Sequence, residues 1–185
     1  MTNIDGIMNV FSDLNLWFPA HRTIRYRREA DSAPTFVYRF DADLENNIFM
    51  SFKRAALPQL ELYRQPTHGD DMAHLFKTTF HKPLHEMNQD SYDTLQLMVT
   101  MFTSFAQDGT PIADQVEFLP IQHDDDAGVF LCGLNIQENR TQFGEFLKAA
   151  RARIFDEIFC TSAGTLYVLG VMKLALFVTF KYLIL

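Results

Sequence analysis

The sequence predicts an α/β architecture, because short extended segments alternate along the chain with amphipathic helices. Three of the six residues 36–41 are aromatic, which fits a buried strand, and residues 116–121 and 129–136 read as a pair of further strands. Apolar residues from Tyr92 to Gln107 recur at helical spacing. A chain of 185 residues, 48% of them apolar, is long enough to bury a sizeable core.

Three segments are expected to be helical. Residues 11–30 carry apolar side chains near helical spacing, and Pro19 is expected to begin a second helical piece there. The long central helix is expected to end at Gly109, and its buried stripe is predicted to consist of Leu95, Met98, Val99, Phe102 and Phe105. Residues 141–159 predict a final helix with Thr141 as its N-cap.

The most informative stretch is residues 67–76, T-H-G-D-D-M-A-H-L-F, which places His68 on a glycine turn ahead of a short amphipathic helix. An imidazole at the edge of a loop can reach outward, and Gly69 lets the backbone fold tightly behind it. This pattern suits a catalytic base, although a surface histidine without a task has it too. The buried stripe of the short helix is predicted to be Met72, Leu75 and Phe76.

Four segments together resemble the type-B carboxylesterase/cholinesterase family. These are the helix around Ser12-Asp13 and Phe18-Pro19, the strand at residues 36–41, the histidine motif at residues 67–76, and the helix of residues 98–106, which runs into F-A-x-x-G-x-P at Pro111. The likeness covers about residues 10–159. It implies the C-terminal part of an α/β-hydrolase fold, with the last sheet strands and their flanking helices, incomplete without an upstream portion.

The resemblance implies hydrolysis of small-molecule carboxylic esters through an acyl-serine intermediate, without a cofactor or a metal. His68 would be the triad histidine, which takes the proton from the serine hydroxyl and returns it to the leaving alcohol. Asp71 matches an acidic position that in the family tends to be buried near the triad, so it is a candidate supporting residue. A charge at the start of a helix explains Asp71 equally well. Asp70 is expected to be solvated.

None of the six serines lies in the G-x-S-x-G setting that the nucleophile of this family needs. Ser162 comes nearest, with Gly164 after it but Cys160 in place of the first glycine. A glycine-rich oxyanion loop is missing as well. The serine and the acid are therefore expected upstream, in a longer esterase. The alternative is an esterase-like protein without catalysis, which serves binding or adhesion and in one version is tethered to a membrane.

A metal site and a nucleic-acid partner fit the sequence less well. His74, His81 and His85 lie close together, but Pro83 interrupts the i, i+4 pair and the H-E-x-x-H pattern is missing. No metal site is therefore predicted. A formal net charge of −7 argues against a nucleic-acid partner, because a phosphate backbone selects a dense positive surface.

Residues 160–185 do not resemble the family, so the chain is expected to divide into a partial esterase domain, residues 1–159, and a hydrophobic tail. Residues 165–185 are mostly apolar and about as long as a bilayer span, with Lys173 near the middle. Three readings of this tail stay open: sequence appended by an incorrect gene model, a membrane span, and a lipid-anchor signal.

The compartment depends on the tail and on one sequon. Asn139-Arg140-Thr141 makes Asn139 a candidate glycosylation site, although such a triplet arises easily by chance. The protein is expected to be secreted or membrane-associated if the tail and the sequon function, and cytoplasmic otherwise. An unpaired strand edge at residues 36–40, together with the apolar tail, also predicts self-association.

Overall fold

The computed structural model describes residues 3–30, 33–48, 66–77, 83–121, 132–145 and 154–155. These residues fall into two compact units. The N-terminal unit contains residues 3–30 and residues 154–155. The sheet unit contains residues 33–48, 66–77, 83–121 and 132–145.

The N-terminal unit is helical. Helix α1 spans Asn3–Ser12, a π-helical stretch spans Asp13–Trp17, and helix α2 spans Phe18–Glu29. Pro19 is the second residue of α2, which confirms that this proline lies at the start of a second helical piece. Proline lacks an amide N–H and its ring crowds the carbonyl four residues earlier, so the wider turn before it relieves both problems. Phe18 is buried, and its ring lies 5.7 Å from that of Phe155.

The sheet unit is built on three strands in the order β1-β2-β3, which are Tyr38–Phe40, Cys132–Gln137 and Arg140–Glu145. β1 and β2 are parallel, with Tyr38 opposite Leu134, whereas β2 and β3 form an antiparallel hairpin. Side chains alternate between the two faces of the sheet. The predicted strand at residues 36–41 is therefore confirmed, with three residues in regular β structure.

The strand predicted at residues 129–136 is present from Cys132 as β2, but two other predictions about this unit are wrong. Residues 116–121 contain an isolated bridge from Val116 to Ala113 and no strand, and β2 pairs with β1 and β3 instead. The predicted helix that begins at Thr141 is β structure as far as Glu145. Each β3 residue has a partner on β2, and this ladder outweighs the helical spacing of the apolar residues that follow.

Helix α3 spans Gln89–Asp108 and confirms the predicted long helix. Asn88 caps its start, because its side-chain oxygen accepts a hydrogen bond of 2.9 Å from the Ser91 N–H. Gly109 ends it in the left-handed conformation, with φ 71°, as predicted. The predicted stripe is confirmed at Met98, which is buried, but Met101 is buried beside it and three predicted members are exposed, namely Val99, Phe102 and Phe105.

The hydrophobic core lies between α3 and one face of the sheet. Its buried members are Met98, Met101, Ala113, Phe118, Leu134 and Ile136. Phe36 and Tyr38 reach this core from β1 and its leading segment, and each makes an edge contact with a ring of α3. The opposite face of β1 carries Arg39, whose guanidinium donates 2.8 Å to Asn135 Oδ1.

The tail at residues 160–185 lies outside the described residues, as does its predicted membrane span at residues 165–185. None of the helices in the described ranges is both long and apolar enough to cross a bilayer.

Candidate functional site

The expected glycine turn is present at the histidine motif. The Asp70 N–H donates to the Thr67 carbonyl oxygen at 3.0 Å, so His68 and Gly69 are the two central residues of a four-residue turn. Gly69 has φ 88° and ψ 0°, the left-handed values that a type II turn requires at its third position. A side chain at position 69 would strain this backbone, which explains why glycine follows the histidine.

His68 itself is exposed on this turn. No hydrogen bond or ion pair joins it to another described residue. A triad histidine needs a carboxylate on its far ring nitrogen to select the tautomer. Within the described part of the chain, no carboxylate makes that bond.

The expectation that Asp70 is solvated is wrong. Its side chain is 0% exposed, and its Oδ2 accepts two hydrogen bonds from Thr67. The Thr67 backbone N–H donates at 2.7 Å and the Thr67 hydroxyl at 2.8 Å. A buried carboxylate must be hydrogen-bonded to remain in the protein interior, and this turn provides two donors.

The short helix after the turn is a 3-10 helix, Asp70–His74, and this changes its buried face. Two members of the predicted stripe are wrong, since Met72 is 45% exposed and Phe76 is 59% exposed, whereas Leu75 is partly buried against the core. Asp70, Ala73 and His74 are the buried residues of this helix. The stripe was predicted from the 3.6-residue spacing of an α-helix.

Asp71 points toward the sheet. Its Oδ2 accepts a 2.7 Å hydrogen bond from the hydroxyl of Tyr38 on β1. Burial of the Tyr38 ring, with the hydrogen bond and the nearby Asp71 charge, raises the pKa of this phenol well above its ordinary value. The contact joins the histidine turn to the strand, and it does not involve His68.

His74 is a buried residue of this site that the sequence placed only among candidate metal ligands. It is 1% exposed, its ring lies 5.2 Å from that of Phe40, and its Nε2 is 3.3 Å from Asn47 Oδ1. The Asn47 side chain in turn donates to the carbonyl of Ala42 at 2.8 Å. His74 therefore anchors the histidine segment to the loop after β1.

The other candidates of the sequence are separate from this turn. His81 lies outside the described residues, and His85 is exposed with its Nε2 3.5 Å from Glu86. No group of three metal-ligating side chains occurs in the part of the chain that the structure describes. Asn139 is exposed in the turn between β2 and β3, and its glycosylation stays a prediction.

Comparison with known proteins identifies the family of this chain. A model of the carboxylesterase family matches residues 1–154. Esterase B1 of Culex pipiens is 28% identical over 162 residues, which make up 86% of this chain and 29% of that esterase. The chain thus spans less than a third of the length of this curated relative. Its sheet and helices are consistent with part of an α/β-hydrolase fold. Because the family model covers most of the residues, the chain belongs to the carboxylesterase family.

Proposed function

We propose that His68 is the triad histidine of a serine carboxylesterase that hydrolyses small-molecule carboxylic esters. The single observation that carries this proposal is the turn geometry, which presents an exposed imidazole on a backbone closed by three hydrogen bonds between Thr67 and Asp70. Family membership supports the same reaction class.

In this reaction His68 acts twice. It first removes the proton from a serine hydroxyl as that oxygen attacks the ester carbonyl, and it then protonates the leaving alcohol. In the second half-reaction His68 removes a proton from water as the water oxygen attacks the acyl-serine carbonyl. His68 then returns that proton to the serine oxygen as the bond to the acyl group breaks and the carboxylic acid leaves. An exposed histidine at the edge of a turn has the freedom to face both the serine and the water.

The nucleophile belongs, in this proposal, to sequence outside these 185 residues, since none of the six serines has the G-x-S-x-G setting. The carboxylate that orients His68 belongs there as well. Asp71 has a different role, which is to hold the turn against β1 through Tyr38.

A chimera tests the proposal. The segment of Esterase B1 that matches this chain is replaced by residues 1–154, and hydrolysis of p-nitrophenyl acetate is measured. We expect turnover in the chimera, and His68→Ala should lower kcat by at least about 10³-fold because the serine loses its base.

His85→Ala is the matched control, because His85 is also exposed but lies outside the turn. This variant should keep kcat within about twofold of the chimera. A folded chimera that hydrolyses esters as well with His68→Ala as without it would refute the assignment. A folded but inactive chimera would also count against it.

A further inference from the structure

We infer that Asp70 is a positioning residue for His68, and that its buried carboxylate holds the histidine turn closed. This inference rests on the proposed function of His68. Asp70 acts through the backbone on both sides of the imidazole. The adjacent Asp71, which was the candidate supporting residue in the sequence, accepts a hydrogen bond from Tyr38 on β1.

The contacts place Asp70 and Thr67 on either side of the His68-Gly69 pair. One oxygen, Asp70 Oδ2, accepts from both the N–H and the hydroxyl of Thr67, at 2.7 and 2.8 Å. The Asp70 N–H returns a bond of 3.0 Å to the Thr67 carbonyl oxygen. Three hydrogen bonds therefore close the turn, and two of them depend on the carboxylate.

Burial strengthens the hydrogen bonds that the Asp70 carboxylate accepts from Thr67. Asp70 is 0% exposed, so water does not compete for Oδ2. The exposed imidazole has no hydrogen-bonded partner among the described residues. The location of the ring therefore follows the turn, and a shift of about 1 Å at a catalytic group can lower turnover by about 10²-fold.

A role limited to folding predicts a different outcome from a positioning role. If Asp70 only stabilises the fold, its loss lowers the fraction of folded protein and leaves turnover per folded molecule unchanged. If Asp70 positions His68, turnover per folded molecule falls while KM, which reports substrate binding, changes little. Loss of the Thr67 hydroxyl should also lower turnover per folded molecule, but by a smaller factor, because it removes only one of the two donors to Asp70.

The first measurement uses the whole chain of 185 residues and needs no activity. Hydrogen exchange of the Thr67 amide, followed by NMR, should be at least about tenfold faster in Asp70→Ala, because that N–H loses its buried acceptor. Asp93→Asn is the control, since that carboxylate accepts a bond from Gln89 on the exposed side of α3. It should leave the Thr67 amide unchanged. Equal exchange in Asp70→Ala and the parent chain would overturn the inference.

The second measurement uses the chimera with Esterase B1, with kcat normalised to folded protein by circular dichroism. We expect Asp70→Ala to lower kcat by about 10- to 100-fold, with KM within about twofold. Thr67→Val should lower kcat by a smaller factor, and Thr67→Ser, which keeps the hydroxyl, should restore it. The Thr67 pair keeps the test decisive if Asp70→Ala fails to fold.

The two proposals fail in different ways. Full activity in both Asp70→Ala and Thr67→Val, with His68→Ala inactive, would overturn the positioning role and leave the proposed function intact. Activity that survives His68→Ala would refute the proposed function, whereas the exchange rate of the Thr67 amide would still decide whether Asp70 closes the turn.

Discussion

Two adjacent carboxylates in the histidine motif have different partners. Asp70 accepts hydrogen bonds from Thr67 within the turn, and Asp71 accepts one from Tyr38 on β1. Successive side chains of a 3-10 helix point about 120° apart, so neighbouring residues cannot face the same group. One carboxylate therefore shapes the turn and the other attaches it to the sheet.

At the residue scale, the Tyr38 hydroxyl should contribute measurable stability that depends on pH. Tyr38→Phe removes a hydrogen bond to a partly buried carboxylate, and we expect it to lower the free energy of unfolding by about 1–2 kcal/mol at pH 7. Urea unfolding of the parent and the variant measures this difference.

The stability that the hydrogen bond from Tyr38 to Asp71 provides should decrease at alkaline pH. Folding raises the pKa of the Tyr38 phenol, so the folded state binds this proton more tightly than the unfolded state does. The stabilisation is complete below the ordinary phenol pKa of about 10 and is lost progressively as the pH rises above it. The gap between parent and variant should therefore be smaller at pH 11 than at pH 7. Tyr92→Phe, at an exposed ring, is the control, and an unchanged gap would contradict the prediction.

At the scale of elements, α3 shows how local signals set helix ends. Asn88 caps the first turn with its side chain, and Gly109 turns the chain out of the helix with a positive φ. Both signals act within four residues of the helix end, so they are readable without knowledge of the fold. The face that α3 buries is a different matter, since it depends on which segments pack against it.

Gly109→Ala should lower the free energy of unfolding by about 1 kcal/mol. An added Cβ at position 109 meets no atom within 4 Å, so the cost comes from the left-handed backbone alone. Gly144→Ala is the matched control in the same unit, because its Cβ also meets nothing within 4 Å but its φ is not positive. Urea unfolding should show a lower free energy of unfolding for Gly109→Ala only. Equal values for the two variants would show that the left-handed backbone at position 109 does not penalise a side chain.

At the scale of the whole molecule, the sheet unit joins residues that are far apart in the chain. β1 lies beside β2 in parallel, and Arg39 bonds to Asn135 across 96 positions. The histidine turn connects to this sheet through Tyr38 and through the ring of Phe40, which packs on His74. The position of His68 thus depends on contacts between segments from both ends of the unit.

The chain of 185 residues alone should not hydrolyse p-nitrophenyl esters above a protein blank, because a histidine without an activated serine offers only weak general-base help. Initial rates of purified chain and of its His68→Ala variant measure this. A turnover that persists through purification and disappears in the variant would show that a nucleophile is present within these residues, and the proposed division of the triad would be wrong.

The sequence by itself determined the family, the long helix with its end at Gly109, the strand at β1 and the glycine turn that carries His68. These features depend on motifs, periodicity and turn residues, which act over a few neighbouring positions. Gly69 and Gly109 are clear cases, since each occupies a left-handed position that its local context already indicates.

Only the tertiary structure decided which segment each strand pairs with and which residue each buried side chain contacts. The apolar spacing of residues 141–159 fits a helix locally, yet the first part of this segment pairs with β2 because that strand offers a complete ladder. The burial of Asp70 and His74, and the bond from Tyr38 to Asp71, equally depend on residues brought close by folding. Local spacing shows which side chains share a face, whereas long-range packing selects the face that is buried and the donor that each carboxylate meets.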